Sequence, residues 1–181
     1  AARLLSLRAL RSPGEKSREA YTLSSLAIKA SAPSATLHVA RAMVLAAAGG
    51  RKDALAEARK ALSLRKDPPR HTTVAMLGLS QDKPGVALLN LKEALRQDAN
   101  FWPAHQLMAM VNKPEVADKH MKAALKVAPE EPSVQLTHAA RLMATRKASE
   151  AIAVLRKVVA ARPDREALLM LYQALVVTGQ K

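Results

Sequence analysis

The sequence predicts an all-α chain, a solenoid of stacked antiparallel helix hairpins, and three observations carry that expectation. An alanine is followed seven residues later by another small residue five times: Ala20/Ala27, Ala54/Ala61, Ala87/Ala94, Ala117/Ala124 and Ala151/Val158. The second members are separated by 34, 33, 30 and 34 residues, so one supersecondary unit is copied along the chain. Aromatic residues are almost absent, being only Tyr21, Phe101, Trp102 and Tyr172, while small and aliphatic residues abound. That composition lets helix backbones approach closely and suits strands poorly. Between frequent prolines and glycines, apolar residues recur at three- and four-residue spacing, as in Leu55, Ala58, Leu62 and in Val154, Leu155, Val158.

Eleven helices follow, over about 1–12, 16–30, 34–48, 51–65, 70–80, 84–97, 102–111, 114–127, 132–145, 148–161 and 164–178. Ser12-Pro13-Gly14 closes the first, and Ala32-Pro33 parts the second from the third. Gly49-Gly50 ends the third, where a left-handed residue is needed. Asp67-Pro68-Pro69 breaks the chain before the fifth, and Lys83-Pro84-Gly85 before the sixth. Pro103, Pro114 and Pro132 suit first-turn positions, where a missing N–H costs nothing. Pro163 stops the tenth helix, and Asp164 caps the last, which begins with Arg165 and Glu166. Connections this short make sequential helices antiparallel neighbours. Residues 1–181 read as one array with repeats near 1–33, 34–68, 69–100, 101–130 and 131–163 and a terminal helix at 164–178. Both ends read as cut from a longer protein.

The arrangement resembles the tetratricopeptide repeat (TPR) family, whose unit is a helix–turn–helix. The second-helix signature stands as Ala20-x₆-Ala27, Ala54-x₃-Ala58-x₂-Ala61, Ala87-x₃-Leu91-x₂-Ala94, Ala117-x₃-Met121-x₂-Ala124 and Ala151-x₃-Leu155-x₂-Val158. The closing proline is Pro33, Pro68, Pro129 and Pro163, with Ala99 in that place once. First-helix small positions match Ala42, Gly78, Ala109 and Ala139, with Leu77 before Gly78. The chain departs from the family pattern in its near lack of first-helix aromatics and in extra residues at Leu64–Asp67. The turns around Ser80–Pro84 and Asn112–Glu115 read as shortened by about three or four residues.

The resemblance covers essentially the whole chain and implies a right-handed α-solenoid. Its first helices would line a concave groove and its second helices the convex outside. Groove positions carried over from the family are Thr36, Val39, Met43, Ala46 and Ala47 in the second repeat. They continue as Thr72, Ala75 and Leu79, then Gln106 and Met110, then Ser133, Leu136, Ala140 and Met143, and finally Met170 and Ala174. That surface is small-residue, apolar and methionine-bearing, suited to an extended peptide or amphipathic helix, although Met43, Met110 and Met143 serve equally as inter-repeat filling. Some family members clamp a peptide's C-terminal carboxylate with Lys, Asn and Arg. That set is missing at the matching positions, which disfavours a chaperone-tail clamp.

A net charge of +14 and a pI near 10.6 favour anionic partners, or equally a solvated basic surface. The basic residues fall mostly on second helices and turns: Arg51, Lys52, Arg59, Lys60, Lys119, Lys122, Arg156 and Lys157. Stacking on bases would want interleaved aromatics, which are missing; phosphate contacts alone would be strongly salt-dependent. Lack of cysteine excludes disulfides and thiolate metal sites, and leaves periplasm and cytoplasm both compatible. No apolar run reaches the roughly 18 residues of a membrane span.

No catalytic constellation is visible. His38, His71, His105, His120 and His138 show neither metal-ligand spacing nor a nearby paired acid, and Glu130-Glu131 sits where a repeat turn belongs. The expectation is a non-enzymatic scaffold, needing no cofactor or metal, that holds a protein or peptide partner in its groove. The alternative is an anionic polymer, polysaccharide or nucleic acid, bound by the basic convex face. Self-association through Leu169 and Leu175 is a third reading. The Ala- and Arg-rich composition is similar to that of bacterial envelope repeat proteins of exopolysaccharide or pilus export.

Overall fold

The computed structural model describes residues 15–30, 32 and 34–179; the helix expected at 1–12 lies outside the described residues. Among the described residues there are ten helices and no strand. They are α1 (Glu15–Ala30), α2 (Ala35–Ala47), α3 (Arg51–Leu64), α4 (Pro68–Leu79), α5 (Pro84–Gln97), α6 (Trp102–Val111), α7 (Pro114–Val127), α8 (Pro132–Ala144), α9 (Ala148–Ala161) and α10 (Arg165–Thr178). The chain divides between Ala104 and His105 into two compact units. Helices α1 to α5 pack on one another in sequence in the first unit and α7 to α10 in the second, and α2 also meets α4, as α8 meets α10. This is an α-solenoid arrangement of helical hairpins, in which even-numbered helices are the first of their repeats.

Capping chemistry sets the helix starts. Ser34, Asp67 and Asp164 each adopt extended backbone and accept a hydrogen bond from the N–H three residues on: Leu37 at 3.4 Å, Arg70 at 3.2 Å and Ala167 at 2.9 Å. Helix α4 therefore begins two residues before the expected 70. Asp67 is the cap, and Pro68 and Pro69 occupy the first turn, where prolines continue a helix rather than break the chain. Helices α5, α7 and α8 likewise open on a proline in the first turn.

One turn design joins first to second helices three times. Gly49 (φ 83°), Asp82 (φ 55°) and Arg146 (φ 62°) are left-handed. The following N–H then reaches back five residues: Gly50 to Leu45 O at 2.8 Å, Lys83 to Gly78 O at 2.9 Å and Lys147 to Leu142 O at 2.8 Å. Glycine meets that geometry without a Cβ penalty, whereas aspartate and arginine carry about 1 kcal/mol. The fourth such connection differs. Only Asn112 and Lys113 separate α6 from α7, and Asn112 Nδ2 closes the helix by donating to Met108 O at 2.8 Å. Of the two turns expected to be short, this one is; the connection at 80–83 is as long as the others.

The misreading at 80–83 comes from the register. The eighth residue of each first helix is the small one: Ala42, Ala75, Ala109 and Ala139, all buried. Ala75, not Gly78, is the equivalent position, and it lies in the core rather than on the groove. Gly78 is a second close approach, one turn later, where an added Cβ would meet Val86 Cγ1 at 3.4 Å. Every member of the alanine pairs is buried except Ala27, which is half-buried. Small side chains are needed there because the helices of a hairpin cross closely. In the first unit Ala42, Ala54, Leu55, Ala58, Val74 and Leu77 form one cluster. In the second, Ala139, Leu142, Ala151, Ile152, Leu155 and Ala174 form another, so Ala174 is core and not groove.

Candidate functional site

Three first helices, α6 from Gln106 onward, α8 and α10, line a cleft of about 510 Å³ within the second unit. Met110, Leu136 and Met170 supply its larger apolar side chains, and Ala109, Ala140 and Ala144 keep its floor low. Gln106, Ser133 and Thr137 form its polar side. Gln106 Nε2 donates to Ser133 O at 2.8 Å and to Thr137 Oγ1 at 2.9 Å, and the Thr137 hydroxyl donates in turn to Ser133 O at 2.9 Å. The bonds tie α6 to α8 and hold Gln106 in one orientation.

Two charged residues complete the lining, Arg141 and Glu166. Arg141 donates to Ala109 O at 3.0 Å and to the Asp118 carboxylate, so its charge is already partnered across three helices. The Arg141 hydrogen bond holds the Asp118 carboxyl below its ordinary 3.8, against slight desolvation. Glu166 sits in the first turn of α10, where a negative charge is favoured by the helix dipole.

Of the residues expected on the groove, the structure brings Gln106, Met110, Ser133, Leu136, Ala140 and Met170 together in this cleft. Met143 does not line the cleft and packs, as Leu136 and Met170 also do, against the Ala139–Leu155 cluster. In the first unit Thr36 is exposed and accepts from Arg70 Nη2 at 3.3 Å, which links α4 to α2. Val39, Met43, Ala47, Thr72 and Leu79 are half-buried, and Ala46 packs against the Ala42–Leu77 cluster. Arg51, Lys52, Arg59, Lys60, Lys119, Lys122, Arg156 and Lys157 are all exposed, on α3, α7 and α9.

The histidines occupy a position that the sequence reading misses. His38, His71 and His105 are each the fourth residue of a first helix, and each meets the residue three after the first alanine of the following second helix. Nδ1 of His38 lies 2.7 Å from Glu57 Oε2, that of His71 2.9 Å from Asn90 Oδ1, and that of His105 2.8 Å from His120 Nδ1. His38 thus has an acidic partner after all. Burial pushes the Glu57 carboxyl up, but hydrogen bonds from His38 and Lys60 and the nearby Arg41 charge bring it below 4.5 overall. His120 is held below 6.5 by burial and by facing His105. These are hairpin clasps between first and second helix. Among the described residues no group of three or more His, Asp or Glu could hold a metal ion.

No family model matches the sequence, and neither does any of the curated proteins. Solved structures do match. PilF of Pseudomonas aeruginosa aligns at a TM-score of 0.72 and 22% identity, over 98% of this chain and 83% of its own. TTC0263, a thermophilic TPR protein of Thermus thermophilus, aligns at 0.70 and 17%, over 81% of this chain and 84% of its own. YrrB, described as a TPR protein with an unusual peptide-binding site, aligns at 0.57 and 17%, over 98% and 88%. The chain is a TPR-like repeat protein by fold.

The TPR-like fold accounts for which side chains the cleft receives. First helices follow one another on one face, so positions along α6, α8 and α10 converge while α7 and α9 stay outside. Arg141 and Glu166 are the cleft residues that the TPR positions alone do not point to. Both carry a readable sign. Arg141 lies two residues after the eighth-position Ala139, and Glu166 is the second residue of a helix capped by Asp164. No described helix is long and apolar enough to cross a membrane.

Proposed function

We propose that the chain is a non-catalytic scaffold that grips a peptide or protein segment in the cleft of α6, α8 and α10. The observation that carries this reading is the cleft itself. Its apolar side chains, Met110, Leu136 and Met170, stand beside a hydrogen-bonded edge of Gln106, Ser133 and Thr137. Methionine adapts its shape to varied apolar side chains, while a fixed amide and hydroxyl orient a backbone. The description of YrrB as peptide-binding lends support by analogy of fold. The composition is the support for an envelope setting such as exopolysaccharide or pilus export, checked by fractionating cells that express the tagged chain.

The test selects peptides from a random library on the immobilised chain and measures them by calorimetry. Leu136→Glu is expected to weaken the selected peptides at least tenfold, because a carboxylate in the cleft is desolvated without a partner. Peptides that bind the variant unchanged would move the site elsewhere.

A second reading rests on the exposed arginines and lysines of α3, α7 and α9. An anionic polymer binding there would lose affinity steeply with salt. Reversal of Arg59, Lys60, Arg156 and Lys157 to glutamate is expected to abolish retention on a heparin or oligonucleotide column at 50 mM salt. Equal retention of the variant would remove the basic face from the account.

A further inference from the structure

The polar atoms of the α6–α8–α10 cleft are of one kind, which follows from where their hydrogens go. Both amide hydrogens of Gln106 are engaged within the protein, on Ser133 O at 2.8 Å and on Thr137 Oγ1 at 2.9 Å. A backbone carbonyl can only accept, so the atom beside Ser133 O is the amide nitrogen, and Oε1 is the open end of the side chain. Thr137 gives its one hydroxyl hydrogen to Ser133 O at 2.9 Å. Ser133 also has one, and the acceptors in its reach are Glu131 Oε1 at 3.2 Å and Gln106 Oε1 at 3.5 Å. Whichever takes it, none is left for a ligand.

Arg141 is the one cationic donor in the lining, and it is turned towards α7. It donates to Ala109 O, to Pro114 O and to the Asp118 carboxylate, and its Nε is enclosed. Glu166 is exposed and, as a carboxylate, can only accept. The cleft thus offers a ligand acceptors: Gln106 Oε1, the hydroxyl lone pairs of Ser133 and Thr137, and the Glu166 carboxylate. With Arg141 neutralised by Asp118, the charge left in the lining is negative, in a chain that carries +14 overall. A ligand carboxylate would lose its water there and meet lone pairs in return. A cationic head, with several N–H groups and no lone pair, meets an acceptor at every polar point.

We infer that the cleft selects a peptide segment bearing one lysine or arginine beside an apolar side chain, an inference that rests on reading the cleft as a peptide site. The apolar side chain lies on Met110, Leu136 and Met170. The stem of the basic one can cross the same surface while its head meets the acceptors. The +14 charge opposes any cationic ligand at long range, but at 0.15 M salt that field is screened beyond about 8 Å, so contacts inside the cleft decide. Each further cation on the ligand adds repulsion without adding a partner, which favours a single basic side chain over a polybasic run.

The probe is a random library of octapeptides, acetylated and amidated to remove terminal charges, retained on the chain at about 0.15 M salt. Lysine or arginine next to an apolar residue is expected to be enriched. Remaking a selected peptide with norleucine in place of its basic residue should weaken binding about fivefold, the size of one charge-assisted hydrogen bond at a partly open site. On Glu166→Gln that penalty should shrink to about twofold, because a neutral amide replaces the carboxylate. Ala140→Phe fills the cleft whatever the ligand's charge, and Ala140 is exposed. It should abolish binding of every selected peptide with unchanged far-UV circular dichroism. Peptides that Ala140→Phe excludes, but that lack a basic residue or tolerate norleucine in its place, overturn the inference and leave the cleft as a peptide site. No retained peptide, or peptides that bind Ala140→Phe unchanged, overturn both.

Discussion

Replacing Leu155 by alanine is expected to destabilise the second unit by about 3 kcal/mol, the middle of the range for truncating a fully buried leucine. Leu155 has no exposed surface and stands between the small residues Ala151 and Val158 on α9. It clusters with Ala139 and Leu142 of α8 and with Ala174 of α10. The cavity left by truncation would therefore open between three helices at once, and the rigid hairpin geometry limits how far they can close on it. Leu168→Ala, on the exposed stripe of α10, is the control and is expected to change stability by well under 1 kcal/mol. Chemical unfolding followed by far-UV circular dichroism gives the loss, and amide exchange locates it. Protection should fall across α8, α9 and α10 together. A loss below about 1 kcal/mol would mean that this cluster is not what holds the second unit.

The same close crossing explains why so much of the fold could be read from sequence. An alanine pair seven apart is a steric requirement of two helices in contact, so Ala54/Ala61 and Ala87/Ala94 mark second helices whatever surrounds them. Prolines and capping residues then mark the starts, as at Pro84, Pro114, Pro132 and Asp164. The register is ambiguous where two small residues compete, as Ala75 and Gly78 do three apart on α4. Counted from Gly78, a full-length turn at 80–83 looks short. Of the cleft, the positions on α6 and α8 were legible because the repeat register places them. The partnering of Arg141 with Asp118 was not, since it depends on how a long side chain crosses to the preceding helix. The histidine clasps were available in principle. Glu57, Asn90 and His120 each stand three residues after the first alanine of their second helix, opposite a fourth-position histidine. That signal is a spacing between helices, 19 residues in two cases and 15 where the turn is cut. No motif within one helix would reveal it.

His38→Leu is expected to cost about 3 kcal/mol at pH 7, while the double change His38→Leu with Glu57→Leu costs less than His38→Leu alone. Glu57 is only 6% exposed, and its carboxylate is held by His38 at 2.7 Å and Lys60 at 2.9 Å. Taking away the imidazole leaves a buried charge with one hydrogen-bond partner, itself an exposed lysine, and only the more distant Arg41 charge beside it, and stranding such a charge is the costly event. Removing the charge as well replaces the clasp by apolar packing between α2 and α3. The pH dependence separates this account from simple loss of contacts. The Glu57 carboxyl titrates below its ordinary 4.5 in the folded chain, despite burial, because His38, Lys60 and Arg41 favour its ionised form. A depressed folded value means that its stabilisation is present in full above 4.5 and is lost as pH falls through the folded value. The gap between wild type and His38→Leu should accordingly be full above 4.5 and narrow once the carboxyl takes up its proton. Urea unfolding of the wild type, both single variants and the double variant at pH 7, 5 and 3.5 measures the coupling and its decay. A gap that stays constant over that range would leave His38 as a packing residue, with no part for the charge of Glu57.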